Sequence, residues 1–359
     1  MRRSGTELLH AWPTLGDVAS AAASAGVDVR VVQAAWRDET VDHGGVPVHL
    51  VAERGGPHRI TAAVPRRLVQ AVRGLRPDVI HLQGLVFPLQ ARMLCRSGVP
   101  VLAQDHGGTP PSRPHAARFR RWGLGRLAGV AFTARAQAEP YVRAGVLRRE
   151  TPVFEVLESS SRFTPGGRDA ARAATGMDGA PALLWVGRLT GDKDPVTVLE
   201  GFALGAERLP DARLWMAYGE AALEAEVRAR IASDPRLRDR VHLLGRVPHA
   251  QVEQLCRAAD VFVSASRREA SGFALLEALA CGLPVLAADI PAARRILRGG
   301  AVGGLFPPGD ARALAELLVR RGERTGEAER KAVRDHFDHY LSFAAVGREL
   351  RAAYAGVAR

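Results

Sequence analysis

Apolar and polar positions along the chain alternate between two periods. Runs of four to seven apolar, β-branched residues are each followed by a longer stretch with helical spacing. The clearest runs are Leu183–Leu189, Leu214–Tyr218, Val241–Leu244, Val261–Ser264 and Pro284–Ala288. Between them lie helical stretches such as Val196–Ala206, Ala222–Ile231 and Ala250–Ala258. Five buried strands alternating with helices predict a parallel sheet covered on both faces. The first half repeats the pattern less regularly. Glu7–Trp12 reads as a strand, Asp17 as the cap of an alanine-rich helix ending at Gly26, and Val27–Ala34 and Val46–Val51 as strands. Pro65–Leu75 reads as a helix, and Asp78–Leu82, Val99–Ala103, Val130–Thr133 and Thr151–Leu157 as further strands. Gly166-Gly167 reads as a linker, and segments 311–321 and 324–359 as helices.

The 359 residues, 47% hydrophobic and 25% charged, are enough for two ordinary globular domains. Three cysteines, Cys95, Cys256 and Cys281, are widely spaced and lack a metal-ligand pattern, which fits a reducing compartment. The N-terminus has no sustained apolar stretch, and no run of eighteen apolar residues occurs. A cytoplasmic protein is expected, with room for peripheral contact at the inner membrane face. The formal charge is +12, of which residues 1–160 carry +8, almost all as arginine. A basic N-terminal half suggests an anionic partner, either a phosphate-bearing acceptor or a membrane surface. No nucleic-acid motif accompanies it. The basic, aromatic segment Pro110–Arg126 suits either partner, although a solvated helix face explains it too.

The chemistry concentrates in SASRREASGFALLEALACGLPVLAAD, Ser264–Asp289. It reads as a strand end, a polar loop, a short helix and a strand, with Glu269 on the loop and Glu277 in the helix. Free N–H groups at Gly272, Phe273 and Ala274 favour an anion at the helix start. Glu277 is embedded in an apolar helix and needs a partner, for which a ligand hydroxyl is one candidate. Upstream, Gly187-Arg188-Leu189-Thr190-Gly191-Asp192-Lys193 places two cations between a strand and a helix, able to hold two phosphate oxygens without a metal. Lys193 is one of only two lysines. A surface turn with two cations is the plain alternative.

Glu269-x7-Glu277 followed by Ala-Leu-Ala-Cys-Gly-Leu-Pro-Val resembles the donor-site signature of family-4 (group 1) retaining glycosyltransferases of GT-B fold. The similarity extends over 181–310 and runs collinear, more weakly, over 75–165. It implies an α/β protein of two Rossmann-like domains facing across a cleft: 1–165 on the acceptor side, 166–335 binding a nucleotide-diphosphate sugar, and 336–359 as a helix crossing back. The donor is then a co-substrate, and neither cofactor nor metal is expected. Gly187, Arg188 and Lys193 resemble the family's diphosphate site. Glu220 and the pair Arg246-Val247 match nucleotide contacts. Glu269 is expected on the donor sugar, Gly272 and Phe273 beside the phosphates, and Glu277 on the ribose. His106, after the Val99–Ala103 strand, matches a histidine beside the donor sugar. His81 closes a strand of the family's type, and a structural role suits it equally. Pro13–Gly16 occupies the place of the family's acceptor loop with one glycine only. The implied reaction is sugar transfer with retention to an acceptor hydroxyl, a donor phosphate oxygen taking the proton. A GT-B epimerase or phosphorylase, and a non-catalytic nucleotide-sugar sensor, are the alternatives.

Overall fold

The computed structural model describes residues 13–53, 65–322 and 326–358. The chain divides into two compact units, Met1–Ser159 with Phe343–Arg359, and Ser160–Ser342. The strand expected over Glu7–Trp12 lies outside the described residues.

In the first unit, helix α1 (Pro13–Ser24) precedes β1 (Val31–Ala35), β2 (Glu39–His43) and β3 (Val46–Ala52). The stretch Pro13–Gly16, expected as a loop, is the first turn of α1, and Asp17 lies inside the helix instead of capping it. Proline at the first helical position costs nothing, because its missing N–H has no partner there in any helix. β1 and β3 pair in parallel, while β2 returns antiparallel to β3 through Gly44-Gly45. Both glycines have positive φ, +62° and +84°, as a two-residue hairpin turn requires. The apolar pattern predicts only the Val46–Val51 strand here, and the paired glycines mark the hairpin that adds β2. After α2 (Arg66–Gly74) comes a separate parallel sheet in the order β4 (Ile80–Gln83), β5 (Val101–Gln104), β6 (Gly129–Phe132), β7 (Val153–Glu155). Helices α3 (Pro88–Cys95), α4 (Pro114–Leu124) and α5 (Glu139–Arg143) connect these strands.

The second unit starts with α6 (Arg168–Thr175) and alternates β8 (Ala182–Gly187), α7 (Pro195–Gly205), β9 (Arg213–Tyr218), α8 (Glu224–Ser233), β10 (Val241–Gly245), α9 (His249–Ala258) and β11 (Val261–Ser264). It continues through α10 (Phe273–Ala280), β12 (Val285–Ala288), α11 (Pro291–Ile296), β13 (Gly304–Phe306), α12 (Ala311–Gly322) and α13 (Glu327–Tyr340). All six strands pair in parallel, in the order β10-β9-β8-β11-β12-β13. β10 is an edge strand and only half-buried, not buried as its apolar composition suggested. Phe202, Phe306, Leu199 and Leu314 fill one layer between sheet and helices. Each such side chain contributes about 1.5–3 kcal/mol by leaving water.

The chain winds outward from β8 to β10, then returns to the other side of β8 with β11. The strand order therefore reverses between β8 and β11, which is where an open parallel sheet forms a crevice at its carboxyl ends. The C-terminal segment is two helices, not one continuous run. Leu341 leaves helical geometry at φ −124°, and α14 (Phe343–Val357) joins the first unit, packed against α1.

Candidate functional site

At the reversal point, the carboxyl ends of β8, β11 and β12 and the start of α10 line a pocket. Its walls include Trp185, Lys193, Ser266, Glu269, Ser271 and Gly272. The loop after β8 returns into this pocket through a tight turn in which Lys193 N donates to Thr190 O at 3.0 Å. Asp194 anchors the turn. It sits at φ +45°, accepts from Thr197 N at 3.3 Å as the cap of α7, and pairs with Arg267 Nη2 at 2.8 Å. The same loop is tied to the next crossover by Leu189 N to Glu220 O at 2.7 Å and Leu223 N to Leu189 O at 2.9 Å.

Within this frame Lys193 Nζ donates to Glu269 Oε1, both side chains being about four-fifths buried. Gly272, at φ +75°, turns the chain so that the loop bearing Glu269 folds over the first turn of α10. An amide-lined helix start, an ammonium and a carboxylate thus share one pocket wall. Positive potential at the helix start and Lys193 suit an anion, and Glu269 suits hydroxyls. Ser264, Ser266 and Ser271 add hydroxyl groups that the sequence reading left unassigned. Their signal was present, as three serines flanking the carboxylate in one eight-residue stretch.

Other expected residues fall around this pocket rather than on its wall. Arg188 is exposed just beyond Gly187 and pairs with Glu220 at 3.4 Å, so the two cations of the loop point to different carboxylates. Arg246 is exposed near Gly219, and its Nε is 3.8 Å from where a β-carbon on that glycine would stand. Val247 is half-buried and Phe273 is exposed. Glu277 faces α9, where Oε1 lies 2.6 Å from His249 Nε2. Burial raises the Glu277 pKa above the usual carboxylate range, and the His249 contact opposes that rise. The partner demanded by a carboxylate in an apolar helix is therefore found within the protein, in a histidine that was not singled out.

His106 belongs to the first unit, after β5. Its Nε2 lies 2.7 Å from Gln83 Oε1 and its Nδ1 3.1 Å from Glu158 Oε2. Beside it, Asp105 accepts from Tyr141 OH at 2.9 Å and Gly107 N at 3.0 Å, with a pKa raised by burial. His81 is half-buried and packs against Tyr354 of α14, whose hydroxyl lies 2.9 Å from Nδ1. Gln83 and Glu158 were not read as site residues, since neither lies in a recognisable motif. Among the described residues, no cluster of three or more His, Cys, Asp or Glu could hold a metal ion, and no helix is long and apolar enough to cross a membrane.

Comparison with known proteins agrees with this geometry. Residues 167–330 match the model for glycosyl transferases group 1, and residues 14–153 match that for glycosyltransferase family 4. A D-inositol 3-phosphate glycosyltransferase of Catenulispora acidiphila is 28% identical over 77% of this chain and 72% of its own. A phosphatidyl-myo-inositol mannosyltransferase of Mycobacterium leprae is 33% identical over 46% of this chain and 45% of its own, less than half of that relative's length. Among solved structures, the sucrose-phosphate synthase of Thermosynechococcus elongatus superposes with a TM-score of 0.69 at 21% identity, covering 98% of this chain and 93% of its own. At that identity the likeness speaks for the fold alone. The two family matches and the relatives named above converge: the chain belongs to the family-4, group 1 glycosyltransferases, and is a sugar-transferring enzyme of GT-B fold.

Proposed function

We propose that this enzyme transfers a hexose to a hydroxyl of a phosphorylated or lipid-linked acceptor, with the donor held by the second unit. The observation that carries this reading is the Lys193–Glu269 pair on the pocket wall at the start of α10. Without ligand the two charges neutralise each other. A diphosphate would draw Lys193 toward itself, together with the amides from Gly272 onward, and let Glu269 Oε1 accept from sugar hydroxyls in place of Lys193. Arg188 and Gly187 would complete the diphosphate contacts, and Phe273 would flank them. Glu220, Arg246 and Val247 would meet the nucleotide, and Glu277 the ribose once its contact with His249 yields. His106 would stand beside the sugar.

As the bond between sugar and phosphate breaks, negative charge grows on the departing nucleoside diphosphate. Fixed cations and amides stabilise that charge without a metal. The acceptor hydroxyl then forms the new glycosidic bond on the face being vacated, and its proton goes to a donor phosphate oxygen. No carboxylate is needed as a nucleophile.

The relatives, a D-inositol 3-phosphate glycosyltransferase and a phosphatidyl-myo-inositol mannosyltransferase, support a phosphorylated acceptor for this chain too. The basic character of residues 1–160 supports it as well. On α4, Phe119 and Trp122 are 48% and 46% exposed and stack at 5.8 Å. They lie in a stretch, 113–126, with five arginines and no acidic residue. That face would rest on an anionic membrane while a lipid-linked acceptor is served.

The test is a donor panel of UDP, GDP, ADP and dTDP sugars with inositol phosphate, sugar phosphates and phosphoinositide vesicles, products being read by NMR. An α-linked product from an α-linked donor is expected. Inversion, or release of free sugar phosphate from inorganic phosphate, would overturn the reading.

A further inference from the structure

The amino edge of the β4–β7 sheet carries a concentration of positive charge that the reaction outlined above does not use. A cavity of about 520 Å³ opens there, where α2 and α3 end and the chain leads into β4 and β5. Arg73, Arg76 and Arg96 stand around it, all exposed, and Pro77, Ile80 and Val99 give it an apolar wall. No acidic side chain lines it, and Asp78, the nearest in sequence, is exposed outside it.

Ordinary helix chemistry explains part of this arrangement. Cations are favoured at the end of a helix, where carbonyls lack partners, and Arg73 Nη2 donates to Met93 O of α3 at 3.3 Å. That bond ties α2 to α3 and holds Arg73 at the rim. It leaves two guanidiniums unexplained: among the described residues, neither the Arg76 nor the Arg96 side chain has a hydrogen-bond or ion-pair partner. Other arginines in the last turn of a helix meet carboxylates, as Arg230 meets Glu200 at 2.6 Å and Arg321 meets Glu329. The backbone at Arg76 is a second observation. Its φ of +48° is left-handed, a conformation that glycine adopts freely and arginine only against a steric cost. Glycine is the common choice at this place just past a helix end, and a strained side chain persists there where it has a use.

The charges around the cavity do not cancel. Each helix end brings about −0.5 of an elementary charge, so α2 and α3 together offset about one of the three guanidiniums. The remainder, about +2, matches a phosphomonoester, which carries about −1.5 to −2 at neutral pH. Guanidinium forks grip phosphate oxygens in pairs, and a cavity of this size also holds a carbon skeleton. We propose that this cavity binds a phosphomonoester, at a site separate from donor and acceptor. About 10 Å of strand separates Ile80 from Gln83, which puts the cavity at the opposite end of the sheet from Gln83, Gln104 and His106. Lys193 plays no part in it. A soluble phosphate ester and a lipid headgroup offer the same chemistry.

The experiment is calorimetric titration of glycerol 3-phosphate into the full-length wild-type enzyme, Lys193→Ala, and the double variant Arg76→Gly with Arg96→Gln. The same proteins are sedimented with vesicles containing phosphatidic acid, a phosphomonoester, or phosphatidylglycerol, a phosphodiester, at equal surface charge. Saturable binding of glycerol 3-phosphate is expected in wild type and Lys193→Ala alike, weakened tenfold or more in the double variant. Sedimentation that prefers phosphatidic acid and needs Arg76 and Arg96, without a response to glycerol 3-phosphate, supports the same site and assigns it to lipid. Arg76→Gly alone separates binding from structure, because glycine relieves the backbone: its melting temperature should hold or rise while phosphomonoester binding falls. A melting temperature that falls together with binding would make Arg76 a structural residue and count against the site. Binding undiminished in the double variant overturns the proposal, as does no binding of glycerol 3-phosphate together with no preference for phosphatidic acid. Binding lost in Lys193→Ala and kept in the double variant places the anion in the donor pocket, which overturns this site and leaves the donor reading standing.

Discussion

Lys193 and Glu269 neutralise one another in the structure, so removing either has unequal consequences. Lys193→Ala deprives the diphosphate of its ammonium and leaves the largely buried Glu269 carboxylate facing it. Nucleotide affinity should fall, and turnover should fall by about 10² to 10³. Glu269→Ala removes the internal competitor for Lys193. Nucleotide affinity should hold or rise while kcat drops, because the sugar loses its acceptor of hydroxyl hydrogen bonds. Equal loss of nucleotide binding in both variants, by calorimetry, would argue that the pair acts through structure alone. His81 offers a test of a different kind. Its folded-state pKa is depressed from 6.5 to about 3, so the unfolded chain takes up a proton that the folded chain refuses. Its contribution to stability is complete above pH 6.5 and is lost as pH falls toward 3. His81→Gln should therefore flatten the dependence of unfolding free energy on pH in that window, by up to about 1.4 kcal/mol per pH unit. An unchanged slope by urea titration would contradict the burial account.

The same residues show what a sequence reveals at this scale. The pair Glu269-x7-Glu277 announces a site because two carboxylates flank a glycine at a helix start. Its spacing does not say that Glu269 turns to Lys193 while Glu277 turns to His249. Side-chain partners across 76 and 28 residues depend on how the loops close. The network on His106 was less legible still, since Gln83, Glu158 and Tyr354 are ordinary residues until the fold brings them together.

Among the elements, α10 depends on one backbone conformation. Gly272 holds φ +75°, and a β-carbon there would meet nothing nearer than Leu275 Cβ at 3.6 Å, so space is not the obstacle. Gly272→Ala should cost about 1–2 kcal/mol from the left-handed backbone alone. A larger loss of donor affinity is expected, because relaxation of φ moves the amides of the helix start. Gly347 makes a complementary case on α14, where a β-carbon would run into Ala21 O of α1. Gly347→Val should detach α14 from α1, lowering the melting temperature of the first unit. Native stability in Gly347→Val would show that α14 is not held by this close approach. Long apolar runs made the strands of the second unit legible, since burial on both faces leaves no alternative to a parallel sheet. The β2–β3 hairpin escaped because Glu39–His43 alternates in burial and carries few apolar side chains. The first turn of α1 escaped because proline and glycine read as a loop unless the helix behind them is already known.

Across the whole molecule, the division into two units recruits Phe343–Arg359 to the first, a connection that composition alone cannot specify. It brings Tyr354 of α14 to His81, with the hydroxyl 2.9 Å from Nδ1. Charge is also distributed at this scale. If the α4 face meets a membrane, vesicles containing anionic lipid should sediment the protein and neutral vesicles should not, and binding should weaken with salt. Phe119→Ser with Trp122→Ser should abolish sedimentation without altering transfer to a soluble acceptor. Equal binding to neutral vesicles would remove charge from the account. The central claim, that the pocket between β8 and β11 at the start of α10 holds the donor's diphosphate, is tested most directly by calorimetric titration of nucleoside diphosphates into wild type and Lys193→Ala. Saturable binding of at least one nucleoside diphosphate to wild type, weakened tenfold or more in a folded Lys193→Ala variant, is the predicted result. Undiminished binding to that variant, or no binding of any nucleoside diphosphate to wild type, would contradict it.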